Sequence, residues 1–392
     1  DAGNIVQGNA CRLDWEQVCI KGDSDEIYIL GNPPYVGFAM QTKEQKQDMK
    51  IVFEGVKNFK FLDFISCWFL LASKYIDNDK IKSAFVSTNS ICQGSQVDML
   101  WPHILLNNIE IGFAYPQFKW GNNAKNNAQV ICSIIGLQTK NQKEKILFKN
   151  LLVQKVKNIN PYLINGANTI IKKRNKNLSG LPNMEYGNMP LDGGHLLLNS
   201  EKKENLIKSF PKSEKYIRPI LGSREFINSH QRFCLWFEGE NLQEINSITP
   251  LKDLIEKVKQ SREQGGIIAK NYAHIPHRFY SVNIAQKSQI IIPRVSSERR
   301  EYVPMGFLSS EFIISDSAQA IYDSEPFVFS VLNSKMHMVW FKATAGRLKS
   351  DYRYSSALSY NTFPFSSISN QRKEELTQCT LKIIDERLKH SE

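Results

Sequence analysis

The stretch Ile27-Tyr28-Ile29-Leu30-Gly31-Asn32-Pro33-Pro34-Tyr35 decides the reading of this chain. Four apolar residues make a short buried strand, and a glycine with two successive prolines ends it abruptly. Proline holds φ at about −65° and donates no N–H, so the backbone beyond Asn32 is stiff and free of competing donors. A rigid turn capping a strand is the plain reading of such a corner. Its residue types allow a more specific one.

An amino group on an aromatic ring is a poor nucleophile, because its lone pair is delocalised into the ring. Two acceptors that hold its hydrogens can turn that lone pair toward an incoming methyl group. The Asn32 side-chain oxygen and the Pro33 carbonyl can be those acceptors, and Pro34 completes the stiff corner. Tyr35 offers an aromatic face for a flipped-out base. No strong base is needed, since the nitrogen sheds its proton after the methyl arrives. Asn32, Pro33, Pro34 and Tyr35 are therefore the candidate catalytic residues.

Outward from the corner, short apolar runs alternate with helical patterns. Helices are expected from about Thr42 to Lys57, Leu62 to Ile76 and Ser95 to Ile104. Strands are expected at Ser83 to Thr88, Ile111 to Tyr115 and Gln129 to Leu137. Such alternation with short connections implies a mostly parallel, doubly wound α/β sheet, whose ligands bind beyond the C-terminal strand ends where Asn32 to Tyr35 lie. No glycine-rich turn precedes Ile27, so the chain reads as starting inside its own α/β domain.

Past about Leu151 the character changes. Lys- and Asn-rich segments (KVKNINP, IKKRNKNLSG) lead into short irregular elements of an α+β kind, followed by helices at about Phe327 to Ala343 and Asn370 to Lys389. Three regions are expected: 1–150, 151–325 and 326–392. The charge follows the same division. Of the net +11, residues 1–150 carry +1 and residues 151–392 carry +10. A phosphate polyanion is the commonest partner for such a surface, although a merely solubilising one looks the same.

Other classes are disfavoured. No apolar run approaches the ~20 residues of a membrane span, and the first residues, DAGNIVQGNACRLDW, have no basic start or apolar signal core. Seven cysteines, at 11, 19, 67, 92, 132, 234 and 379, form no Cys-x-x-Cys pair, so neither a disulfide framework nor a zinc site is indicated. A reducing cytoplasm is the simplest setting. Glu44-Gln45-Lys46 and Glu201-Lys202-Lys203 fit a bare Glu-x-Lys nuclease fragment, but such triplets are common in solvated, charged stretches.

The Asn-Pro-Pro-Tyr loop resembles the catalytic motif of S-adenosylmethionine-dependent amino methyltransferases. Further segments resemble the MmeI-like family of single-chain restriction–modification proteins: Gly8 to Trp15 (GNACRLDW), Phe118 to Lys125 (FKWGNNAK), Pro293 to Arg300 (PRVSSERR) and Tyr360 to Pro364 (YNTFP). The resemblance spans nearly the whole chain. It implies the second part of a Rossmann-like methyltransferase domain, then a target-recognition domain that reads double-stranded DNA, then C-terminal helices. A nuclease and the glycine-rich cofactor loop would belong to a preceding portion of the protein.

At residue level the resemblance implies S-adenosylmethionine contacts at Asn9 and Ala10, with Asn9 standing where relatives often use Asp. Phe118 and Trp120 fall where such enzymes set a second aromatic against the target base, and would serve equally as a strand-entry cluster. In the basic half, Arg294, Ser296, Ser297, Glu298, Arg299 and Arg300 combine donors, acceptors and charge suited to base edges. His277, Arg278, Arg347, Lys349, Tyr352 and Arg353 suit DNA too, more as phosphate than base contacts; surface ion pairing is the alternative for any one of them. The expected activity is adenine-N6 methylation of DNA. The rivals are methylation of RNA or of a protein glutamine, and DNA binding without catalysis.

Overall fold

A computed structural model describes residues 3–120, 130–149, 152–237, 242–348 and 351–390. The chain divides into two compact units, residues 1–173 with 343–350, and residues 174–342 with 351–392.

The first unit is built on six strands: β1 (Ile27–Gly31), β2 (Ile81–Thr88), β3 (Ile109–Trp120), β4 (Val130–Thr139), β5 (Lys145–Lys149) and β6 (Leu152–Val156), in the order β1-β2-β4-β3-β5-β6. Four helices accompany them: α1 (Trp15–Val18), α2 (Lys43–Val52), α3 (Ser66–Tyr75) and α4 (Gly94–Leu105). The expected strand–helix alternation is present, with one correction. Only β1/β2 and β3/β5 pair in parallel, whereas β4 runs antiparallel to both β2 and β3 and β6 antiparallel to β5. The sheet is therefore mixed. Antiparallel neighbours such as these need no crossover helix between them, whereas parallel ones do.

Local chemistry accounts for the element ends. Thr42 and Gln45 form a reciprocal capping box that starts α2. Gly94 opens α4 at φ +55°, where a Cβ would sit 3.0 Å from the Cα of Gly346; only glycine accepts both demands. Side chains of β2 alternate between buried and more exposed faces, and the inward Phe85 meets Phe69 edge-on at 5.3 Å. Phe69 also packs on Trp101 at 6.2 Å, each such pair adding roughly 1 kcal/mol beyond its buried area. Phe85 is the register partner of Gly31, so this aromatic core supports the strand end from which the Asn-Pro-Pro-Tyr corner departs. The unit runs past the change of composition at 150 because β6 completes the sheet and Tyr162 and Ile170 pack on the same core.

The second unit holds two small sheets. One joins β8 (Leu197–Leu198), β9 (Ile217–Leu221), β10 (Phe233–Leu235) and β14 (Ile313–Ile314). The other joins β7 (Glu185–Tyr186), β11 (Ser288–Pro293), β13 (Gly306–Ser309) and β15 (Ala318–Tyr322). Strand β12 (Val295–Ser296) pairs antiparallel with β17 (Asp351–Arg353), β16 (Gly346–Leu348) being counted with the first unit. The helices are α5 (Ser200–Ser209), α6 (Ser223–Ile227), α7 (Leu242–Asn246), α8 (Thr249–Glu263), α9 (Ile267–Asn271), α10 (Pro326–Leu332), α11 (Lys335–Thr344) and α12 (Asn370–Lys389). The single helix expected after Pro326 is two, broken at Asn333-Ser334, while the last helix has the expected bounds. The Ser330 and Thr380 hydroxyls meet at 2.7 Å where α10 packs on α12. No helix among the described residues is long and apolar enough to cross a membrane.

Candidate functional site

Asn32 follows directly on the C-terminal end of β1. Pro33 is buried, Asn32 and Pro34 are exposed, and Tyr35 is half-buried. The buried proline pins the turn and turns its neighbours outward. Among the described residues, neither the Asn32 side chain nor the Pro33 carbonyl takes a hydrogen bond, so both acceptors remain unengaged.

The next residue is held from both sides. The Val36 N–H donates to the Asp63 carboxylate at 2.9 Å, and the same Oδ1 accepts from the Ile65 N–H at 3.3 Å. The Val36 carbonyl accepts from the Phe64 N–H at 3.0 Å and from Gln41 Nε2 at 3.1 Å. Gln41 also donates to the Leu62 carbonyl, and Gln96 Oε1 accepts the Asp63 N–H. Asp63 and Gln41 are both 6% exposed. Burial pushes the Asp63 carboxyl above the usual carboxylate range, against the pull of the Ile65, Val36 and Phe64 N–H groups. A buried polar pair, Asp63 and Gln41, thus fixes the backbone one residue beyond Tyr35. Sequence reasoning missed Asp63 and Gln41; an acid inside an apolar run (Phe61-Leu62-Asp63-Phe64-Ile65) was a usable signal for the first, whereas Gln41, next to Thr42-Lys43-Glu44, offered none.

The Tyr35 hydroxyl lies 3.6 Å from the Cys132 sulfur. Burial, then the Cys132 contact, push this phenol up to about 12, so it is a neutral hydroxyl at physiological pH. Cys132 on β4 is register partner to Thr88 on β2 and to Phe118 on β3. Directly opposed residues share a sheet face, so Phe118 stands on the face that Tyr35 touches. Tyr115 lies edge-on to Phe118 at 5.7 Å and stacks on Phe148 at 5.8 Å. Trp120 belongs to β3 by its backbone; its side chain, and the expected segment 121–125, lie outside the described residues.

Asn9 is exposed and structurally occupied. Its Nδ2 donates to Asp48 at 2.9 Å, its Oδ1 accepts from the Cys11 N–H at 2.9 Å, and Arg12 Nε reaches the other Asp48 oxygen at 2.7 Å. An amide oxygen has two lone pairs, so one remains for a purine amino group. Ala10, half-buried beside it, gives its carbonyl to the Trp15 indole N–H. This turn is compatible with a nucleoside base.

In the second unit the β12/β17 pairing brings together segments more than fifty residues apart: Val295 faces Arg353 and Ser296 faces Tyr352. Ser296 and Tyr352 are buried, as is His277, which corrects their place among groups facing solvent: the ladder directs the first two inward. Glu298, Arg299, Arg300 and Arg353 are exposed, and Ser297 is half-buried. The turn is shaped by Ser297, whose carbonyl and Oγ accept from the N–H groups of Arg300 and Arg299. Arg294 is partly withdrawn, its guanidinium 5.0 Å over the Tyr186 ring and donating to the Asp316 carbonyl. Arg278 is exposed, and Arg347 is half-buried in the first unit. Lys349 lies outside the described residues.

Arg262 organises the loop that bears Arg278. It is 1% exposed and donates to five carbonyls: Leu191 through Nε, Tyr272 and Ile275 through Nη1, Pro190 and Arg278 through Nη2, at 2.6–3.0 Å. It falls on the buried stripe of α8 with Leu251, Ile255 and Val258. A cation in an apolar helical stripe was the signal that could have found it.

An α/β sheet with an exposed Asn-Pro-Pro-Tyr corner at a strand end, followed by a basic α+β unit, defines a methyltransferase domain joined to a target-recognition domain. Residues 1–149 match the family described as the DNA-methyltransferase domain of MmeI, and residues 165–367 match the MmeI target recognition domain. The chain belongs to the MmeI family. It is 43% identical over 386 residues to DNA methyltransferase A of Bacillus subtilis (strain 168), covering 98% of this chain and 44% of that protein. It is 38% identical to the type IIL restriction-modification enzyme MmeI, solved in complex with DNA, with a TM-score of 0.87 over 98% of this chain and 52% of that one. The chain spans about half the length of the relatives it matches.

Proposed function

We infer that this chain carries the methyl-acceptor side of a sequence-specific DNA adenine-N6 methyltransferase together with its DNA-reading domain. The observation that carries the reading is the exposed corner at the end of β1, with the Asn32 side chain and Pro33 carbonyl both unengaged. Family membership supports DNA as the substrate. The MmeI relative was solved with DNA, and the basic excess of residues 151–392 fits a polyanion.

In this mechanism Asn32 and Pro33 accept the two hydrogens of the adenine amine and orient its lone pair. Tyr35, a neutral phenol, stacks on the flipped base, and Phe118 adds a second aromatic from the same sheet face. Asp63 and Gln41 keep Val36, and through it the corner, from yielding. After transfer the positively charged nitrogen passes its extra proton to solvent water at the exposed Asn32, while the two oxygens hold its hydrogens. S-adenosylmethionine, when bound, supplies an electrophilic methyl on a sulfonium centre, and Asn9 and Ala10 would hold its adenine. Glu298, Arg299, Arg300 and Arg353 read or grip the duplex.

Asn32→Ala tests the reading. In the full chain it should lower methylation of a duplex by roughly 10²–10³-fold while duplex affinity, followed by fluorescence anisotropy, stays within about twofold. Methylation at the unaltered rate would reject the assignment.

A further inference from the structure

We propose that a basic basin in the second unit, walled by Lys202, Arg224, His230 and Arg232, is a phosphate-binding subsite that carries the duplex backbone beyond the base-reading turn. The inference rests on the DNA reading above and adds a place where the strand is held. The basin has a volume of about 580 Å3 and is open to solvent. Its basic side chains come from separate elements: Lys202 from the first turn of α5, Arg224 from α6, and His230 and Arg232 from the turn leading into β10.

Three features suit it to an anion. The carboxylate on its wall is already committed, since Glu225 caps the Gly222 N–H with one oxygen and pairs with Arg232 through the other, both at 3.1 Å. Lys202 and Arg224 are exposed, and among the described residues no carboxylate pairs with either. The wall is also preshaped. Asn228 donates to the Arg224 carbonyl, Ser229 takes the left-handed conformation at φ +54°, and the His230 N–H returns to the Glu225 carbonyl. A preformed rim of mixed cations and amides binds phosphate with little further ordering cost.

The basin is tied to the recognition turn by direct bonds. Ser223, the residue before Arg224, accepts from the Arg294 N–H at 3.1 Å and donates to the Ser317 carbonyl. Arg294 opens the segment that leads to Glu298 and Arg299. The rim thus begins one residue from the bond to Arg294, and phosphate contacts of the kind proposed fix register while base contacts specify.

The test is the salt dependence of duplex binding by the full chain, measured by anisotropy from roughly 50 to 200 mM salt. Lys202→Ala/Arg224→Ala should make the plot of log affinity against log salt shallower by about 2, and weaken binding roughly tenfold near 150 mM. The ratio of affinities for preferred and scrambled duplexes should stay within about twofold. Lys382→Ala/Lys389→Ala removes the same charge from exposed positions of α12 and should leave the slope unchanged. An unaltered slope in the basin variant, or an equal fall in both variants, overturns the basin alone. Failure of the unaltered chain to bind any duplex overturns the DNA reading and the basin with it.

Discussion

Asp63 in the first unit and Arg262 in the second solve one problem with opposite charges. Each is buried, each is spent on backbone groups, and each sits behind a segment that bears exposed candidate site residues. Asp63 gathers N–H groups and fixes Val36 behind the Asn-Pro-Pro-Tyr corner. Arg262 gathers carbonyls and fixes residues 272–278 behind Arg278. The difference lies in reach. A carboxylate oxygen collects donors that converge on one point, here Val36 and Ile65. A guanidinium forks, and Arg262 joins carbonyls at 190 and 191 to others at 272, 275 and 278. One ion sharpens a corner; the other holds two loops together.

The contrast predicts unequal damage. Arg262→Leu leaves the Pro190, Leu191 and Arg278 carbonyls without a donor, while those of Tyr272 and Ile275 keep the Ile275 and Arg278 N–H groups. At roughly 1–3 kcal/mol for each unsatisfied group, part of it relieved by water, the second unit should lose about 3 kcal/mol or more. Arg262→Lys offers three donors in place of five and should recover part of that loss. Urea denaturation of the full chain, followed by a probe in the second unit, measures both. Equal midpoints for Arg262→Leu and the unaltered chain would remove the fork from the account.

Asp63→Ala should cost less in stability, about 2 kcal/mol, and more in rate. A corner displaced by an ångström misaims the acceptors, so kcat should fall roughly 10²-fold while the KM for DNA moves by about twofold or less. Asp63→Asn keeps an acceptor at the same place and should restore most of kcat. Because burial raises the Asp63 pKa, this carboxylate favours the fold most below its unfolded value, and its contribution declines as pH rises through the folded one. Asp63→Asn should therefore remove that decline, so that stability measured by urea denaturation rises more steeply from acid to neutral pH than in the unaltered chain. A wild-type kcat in Asp63→Ala would show that the prolines alone hold the corner.

The same contrast explains what could be read from sequence. The corner is local: strand, glycine, asparagine and prolines are contiguous, so periodicity and backbone stereochemistry disclosed them. The helices named in the first unit and after Pro326 were legible to within about five residues, apart from the break at Asn333-Ser334, whereas α5 and the 15-residue α8 fall in a stretch read as short irregular elements. Strand direction was not legible, because the pairing of β4 between β2 and β3 depends on long-range register and not on composition. The ions behind the working segments escaped notice because their partners are carbonyls and N–H groups, which every residue has. Ser296 and Tyr352 looked like surface polar groups until the β12/β17 ladder directed them inward.

The smallest expected effect lies at the turn after β12, and it separates reading from holding most cleanly. Glu298 and Arg299 are exposed, and the turn that bears them is shaped by Ser297 and the backbone. Removing either side chain should therefore change folding stability by less than about 0.5 kcal/mol. A side chain that contacts a base edge contributes about 1–3 kcal/mol of discrimination at one base pair. Arg299→Ala and Glu298→Ala should each relax preference at a single position of the recognised site, by roughly ten- to a hundredfold, with kcat on the preferred duplex preserved at saturating DNA. Sequencing methylated positions from a randomised duplex library measures this directly. Loss of binding spread evenly over all sequences would assign these residues to phosphate. An unchanged methylation pattern would remove them from the reading surface and leave Arg353 and Arg300, on the same pair of segments, as the groups that meet the bases.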